Sequence, residues 1–209
     1  MFKATVFKPS AFKPTAFKTA ALASALAATA LVGIGQAQAD DYAVDIEGQH
    51  AFIQFKINHL GYSYILGNFE KFSGQFHYDP ENLEAASLEM EVDVTSLNSN
   101  HAERDRHILS DDFLGAGDHP TATFVSTGFA PSGDAEGVLT GDLTLKGETQ
   151  SIEMPVTLVG EGEDPWGSYR AGFEGSTMLT LGDFGIDMSD LPEAMHALEL
   201  YVTFEGVRL

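Results

Sequence analysis

From residue 40 onward the chain alternates apolar and polar positions in short runs, and the runs are separated by Gly, Pro, Asn and Asp. A period of two over five to nine residues is the pattern of a half-buried strand. In Ala51–His59, Ile53, Phe55 and Ile57 fall on one face and Gln54, Lys56 and Asn58 on the other. Phe72, Phe76 and Tyr78 alternate with Lys71, Ser73 and His77, and Gly74 marks a place for a bend. Leu88, Met90, Val92 and Val94 form the next face, then Leu139, Leu143 and Leu145, then Ile152, Met154, Val156 and Leu158. Phe173 to Leu181 and the trio Leu200, Val202 and Phe204 complete the series. Asp79-Pro80-Glu81-Asn82, Pro131-Ser132-Gly133-Asp134 and Lys146-Gly147-Glu148 read as turns.

Two segments break the period. Residues 100–110 carry charge at most positions and predict a short helix capped by Asn98 or Asn100. A second short helix is expected within Leu191 to Ala197, where Pro192 suits a first turn. About eight strands at hairpin spacing, with no linker or long repeat, predict a single all-β domain over 40–209. The favoured form is an eight-stranded antiparallel barrel with one or two short helices.

The first 39 residues have a different character. Lys3, Lys8, Lys13 and Lys18 are their only ions, an apolar stretch runs from Ala20 to Ile34, and Ala37-Gln38-Ala39 has a small-x-small pattern. This predicts an export signal over 1–39 cleaved after Ala39, with a retained N-terminal anchor as the alternative. The destination expected is the periplasm of a Gram-negative bacterium, with no integral membrane span after processing.

Charge excludes several functions. All 31 acids lie beyond residue 39 and face only seven bases there, a net of −24. Such a surface repels nucleic acid and anionic lipid headgroups. The chain has no cysteine, so neither a disulfide framework nor a thiolate metal site is available. No Gly-x-Ser-x-Gly elbow is present, no carboxylate pair stands out among so many acids, and no catalytic residue is assigned. The seven histidines lack metal-ligand spacing, with His101, Glu103 and His107 the nearest approach. No metal or cofactor is expected.

Arg104-Asp105-Arg106-His107 concentrates two of the four arginines beyond the leader. Arg104 and Arg106 are head-group candidates, because a planar guanidinium suits phosphate or carboxylate. The preferred reading is structural, a helix held to the barrel by its salt bridges. The apolar strand faces are the positive signal for function. Ile53, Phe55, Ile57, Phe72, Phe76, Phe124, Leu143, Met154, Val156, Phe173, Val202 and Phe204 are expected to line the lumen. An eight-stranded barrel either fills its interior or holds one ligand, and alternation alone does not separate the two.

The run His50-Ala51-Phe52-Ile53-Gln54-Phe55-Lys56-Ile57-Asn58-His59-Leu60-Gly61-Tyr62-Ser63 is followed by Gly67-Asn68-Phe69 and Phe72-Ser73-Gly74 with Asp79-Pro80. Then come Ser96-Leu97, the Arg104–Leu109 segment, Asp112-Phe113, His119-Pro120-Thr121-Ala122-Thr123-Phe124 and Gly141-Asp142-Leu143-Thr144-Leu145-Lys146-Gly147-Glu148-Thr149. In this order the motifs resemble the YceI-like family of exported lipid- or polyisoprenoid-binding proteins. The resemblance implies a lipocalin-like barrel around a long apolar chain, periplasmic residence often as a homodimer, and no established catalytic activity. It also implies a helix beside the barrel for the Arg104–His107 segment. Glu148 departs from the more usual apolar residue, and 182–197 matches poorly. The function expected is a carrier or store for a polyisoprenoid, quinone or fatty-acid-like ligand. The rivals are a hydrolase or isomerase of such lipids and a packed-core stress protein.

Overall fold

The computed structural model describes residues 40–209, and the expected leader with its cleavage point lies outside them. Eleven strands follow in chain order: β1 (Asp40–Val44), β2 (Ala51–His59), β3 (Ser63–Phe69), β4 (Phe72–Tyr78), β5 (Ser87–Asp93), β6 (Leu97–Asn98), β7 (Thr121–Pro131), β8 (Glu136–Leu145), β9 (Glu148–Glu163), β10 (Tyr169–Thr180) and β11 (Ala197–Arg208). Every pairing is antiparallel. β1 pairs with both β4 and β11, which closes the ring β1-β4-β5-β7-β8-β9-β10-β11. This is an eight-stranded barrel, and closure leaves no open edge along the ring.

The other three strands lengthen the wall. β2 continues β1 along the same edge of β11: Val44 opposes Gly206, and Ala51 resumes opposite Phe204. β3 pairs with β2 and β6 with β3, so they extend the staves that contain β4 and β5. Three of the eight staves are therefore broken.

Local chemistry accounts for the hairpins. Lys146 and Gly147 join β8 to β9 with φ of 53° and 80°, the twist that a tight antiparallel turn requires. Bulges at Thr127 on β7 and at Val159 on β9, opposite Gly172/Phe173 of β10, add curvature. Gly74 serves contact as well as bending, because a Cβ there would collide with the Met90 sulfur. Burial in β2 follows the alternation: Ala51, Ile53 and Phe55 are buried and Phe52, Gln54 and Lys56 exposed.

At one end, α1 (Ala102–Ile108) and the 181–196 segment pack over the barrel, with Leu97, Leu114, Ile186 and Met188 buried between wall and cap. The helix is shorter than the 100–110 expected, and its cap is neither asparagine. His101 Nδ1 accepts the Arg104 N–H at 3.2 Å. The Asn98 side chain instead accepts the N–H of Asn100, which sits at φ 63° in the turn before the helix. The expected second helix is a single 3-10 turn, Glu193–Met195.

The opposite end is aromatic. Tyr42 stacks on Phe76 at 4.8 Å, and Phe173 meets Phe76 edge-on at 5.6 Å and Tyr78 at 5.2 Å. Such pairs contribute about 0.5–1.5 kcal/mol each beyond their buried area. Burial, with the charge of Asp40 nearby, pushes the Tyr42 hydroxyl up to about 12.

Candidate functional site: the barrel lumen

Rows of inward side chains run round the wall. Leu198 lies opposite Ile57, and Ile57 opposite Ile65; two residues along, Leu200 faces Phe55. Between these rows lies a cavity of about 450 Å³, a size typical of small-ligand sites. Eleven of the expected lining residues border it: Ile53, Phe55, Ile57, Phe76, Phe124, Leu143, Met154, Val156, Phe173, Val202 and Phe204. Phe72 does not. It shares the inward face of β4 with Phe76, but it packs against the aromatic-end cluster and stops short of the cavity.

Large rings line this space without filling it, and glycines explain how. The Phe55 ring lies over Gly67 of the neighbouring strand, where any Cβ would collide with it. Phe124 lies likewise over Gly141, Phe129 over Gly137, and Phe76 over Gly206. A ring laid against a bare backbone keeps its apolar face toward the lumen and its bulk against the wall.

Several further residues line the cavity. Leu139, Leu158 and Leu200 lie on the strand faces read from the alternation but are not among the residues assigned to the lumen, and Ile65 of β3 is not assigned to a face. Ile108, Phe113, Met188, Leu191 and Met195 come from α1 and the capping loops, where no two-residue period exists.

Polar groups meet the cavity at its margins. His59, Arg104 and His107 border the helix-capped end. Arg104 donates from Nε to Ser99 Oγ at 2.7 Å, and its guanidinium also bonds the Ser99 carbonyl. Asp105 accepts from the Ser99 N–H at 2.9 Å. The two residues thus tie the start of α1 to the chain leaving β6. Arg106 stands apart from the lumen. It is largely exposed, and among the described residues its one ion pair is with Glu103 at 3.7 Å, a helix-surface contact.

The remaining histidines have separate local partners. His77 pairs with Asp41, His196 bonds the Leu191 carbonyl, and His119 packs on Gly147. Among the described residues, one group could bring three ligand atoms together: Asp45, His50 and Glu205. Arg170 already occupies the space between these carboxylates, at 2.6 Å from each. A cation would have to displace it. His101, Glu103 and His107 form no such group.

A closed antiparallel barrel around an apolar lumen has the architecture of a container for a water-insoluble molecule. The comparisons with known proteins agree on the family. The YceI-like domain model matches residues 42–207, nearly the whole described region. A UPF0312 protein of Azotobacter vinelandii is 50% identical over 177 residues, covering 85% of this chain and 92% of its own. The chain belongs to the YceI-like family. The fold is shared with Burkholderia cenocepacia BcnA, at TM-score 0.69 and 24% identity over 78% of this chain and 98% of that one. It is shared also with a polyisoprenoid-binding domain of Saccharophagus degradans, at TM-score 0.59 and 12% identity, covering 80% and 98%. No helix among the described residues is long and apolar enough to cross a membrane.

Proposed function

We propose that this protein is a non-catalytic carrier that holds a long apolar chain in its lumen: a polyisoprenoid, a quinone or a fatty-acid-like molecule. The observation that carries the reading is the cavity itself, whose wall is built mainly from Ile, Leu, Val, Met and Phe. Its driving force is burial. Each methylene taken from water contributes about 0.8 kcal/mol. About ten of them supply roughly 8 kcal/mol, which corresponds to micromolar affinity before the cost of immobilising the ligand. No strong polar contact is required. The shared fold of a polyisoprenoid-binding domain supports the same ligand class. The export signal expected over residues 1–39 supports periplasmic residence in a Gram-negative bacterium, where water-insoluble chains need a soluble container.

Native mass spectrometry of the gently purified protein tests this reading. A discrete added mass that organic extraction removes, and that is identified as a lipid or isoprenoid, is the expected result. A protein that is empty as purified and takes up no prenol, quinone or fatty acid would refute it.

A further inference from the structure

The tight turn between β2 and β3 carries an unusual residue for its geometry. Tyr62 N–H donates to the His59 carbonyl at 3.0 Å, while Leu60 and Gly61 take φ of 57° and 82°. The left-handed region suits Gly or Asn, and a Leu there is strained. This Leu is also exposed, and it is not alone. Tyr62 is 88% exposed, and on the outer face of β3 Leu66 is 65% and Tyr64 59% exposed. Four large apolar or amphipathic side chains thus stand at or beside one hairpin tip, with a Leu where the turn geometry suits Gly or Asn.

Charge sets the same place apart. Residues 48–69 contain no acid, in a region that carries 31 of them over 170 residues. Glu199, opposite Lys56 on the neighbouring β11, is paired with it at 3.0 Å, and Lys56 also lies over the Tyr64 ring at 4.7 Å. The rest of the surface repels anionic headgroups; the tip does not. Tyrosines beside aliphatic side chains suit the boundary between headgroups and acyl chains. On the opposite face of the same two strands, Ile57, His59 and Ile65 line the lumen. Whatever covers the tip therefore sits beside the cavity.

We propose that the β2–β3 tip docks on a lipid surface of low negative charge, with Leu60, Tyr62, Tyr64 and Leu66 entering the headgroup region. Docking rests on the tip alone. The further step, passage of the apolar chain between that surface and the lumen beside Ile57 and Ile65, rests on the carrier reading above.

The test is flotation of the purified protein with phosphatidylcholine vesicles and, separately, with phosphatidylglycerol-rich vesicles. Wild type should float with the first and less with the second. Tyr62→Glu and Leu66→Glu should each weaken flotation about tenfold or more, the loss expected when one large side chain no longer leaves water. Val159→Glu, at a site on β9 about as exposed as Leu66, should leave flotation unchanged. Leu60→Asn gives a signature that no structural role would produce: relief of turn strain raises the melting temperature while vesicle binding falls. Failure of wild type to float with either vesicle overturns the proposal. So does equal flotation of the tip variants, or a dimer that only those variants dissociate. Ligand occupancy by native mass spectrometry is read in parallel, so an empty lumen with intact docking refutes the carrier reading and leaves docking standing.

Discussion

Arg170 and Asp45 stand 125 residues apart in the chain, and their side chains meet at 2.6 Å. The same guanidinium reaches Asp164 at 2.7 Å and Glu205 at 2.6 Å, and His50 adds a contact to Glu205 at 2.8 Å. This network stands where the wall is interrupted between β1 and β2. Asp45 also accepts the Gly48 N–H at 2.8 Å, so one carboxylate holds both the loop and its anchor. Its hydrogen bond from Arg170, more than any other contact, lowers its pKa from 3.8 to about 2.

A carboxyl depressed on folding stabilises the protein above its unfolded pKa, and that stabilisation fades as pH falls through the folded value. Asp45 should thus contribute on the order of 2 kcal/mol above about pH 4, lost progressively toward pH 2. Urea denaturation of wild type and Asp45→Asn across this range checks it. The difference between the two should be largest near neutrality and should shrink below pH 4. A constant difference would show that the carboxylate is not the linked group.

A cavity and a packed core respond oppositely to added bulk. Ile57 borders the lumen, so Ile57→Trp should leave the ligand-free protein nearly as stable as wild type while reducing ligand occupancy. A filled interior would instead cost about 1–3 kcal/mol. Melting of the delipidated proteins, paired with native mass spectrometry, distinguishes the two. The ligand-free comparison matters, because a bound ligand itself raises apparent stability.

The two arginines of α1 should differ. Arg104→Ala removes hydrogen bonds to Ser99 and should lower stability by about 1–3 kcal/mol, with ligand occupancy kept at low temperature. Arg106→Ala breaks one exposed pair and should change stability by no more than about 0.5 kcal/mol. Thermal melts and occupancy of both variants are the check. A stable but empty Arg104 variant would make this side chain a head-group contact.

Gly206→Ala should destabilise by about 1–3 kcal/mol, because the new methyl meets the Phe76 ring. Gly128→Ala meets no atom within 4 Å and should be neutral, or stabilising by about 0.4–1 kcal/mol. Chemical denaturation of the pair separates contact from backbone freedom.

The strand faces were legible because burial on one side leaves a two-residue period. β2 and β11 show it directly: Ile53, Phe55 and Ile57, like Val202 and Phe204, border the lumen. Parity names a face and not a depth, which is why Phe72 points inward and still misses the cavity. The cap residues Ile186 and Met188 lie in irregular backbone, where no period exists to read. The Arg170 network joins the β9–β10 hairpin, β11 and the distant loop after β1, and only closure of the barrel by β1 brings Asp45 to the other two. Asparagine propensity pointed to the wrong helix cap, because Asn98 is engaged by the preceding turn and leaves His101 the place.

The glycines beneath Phe55, Phe124, Phe129 and Phe76 have a consequence for chain selection. The bore of a barrel is usually attributed to strand number and stagger, neither of which a point mutation can alter. Here the clearance also depends on four positions with no side chain. A methyl at Gly67 would lever the Phe55 ring off the wall and narrow the lumen locally, with every strand pairing intact. The bore can therefore be adjusted one position at a time, by substitutions hidden behind the rings that face the lumen.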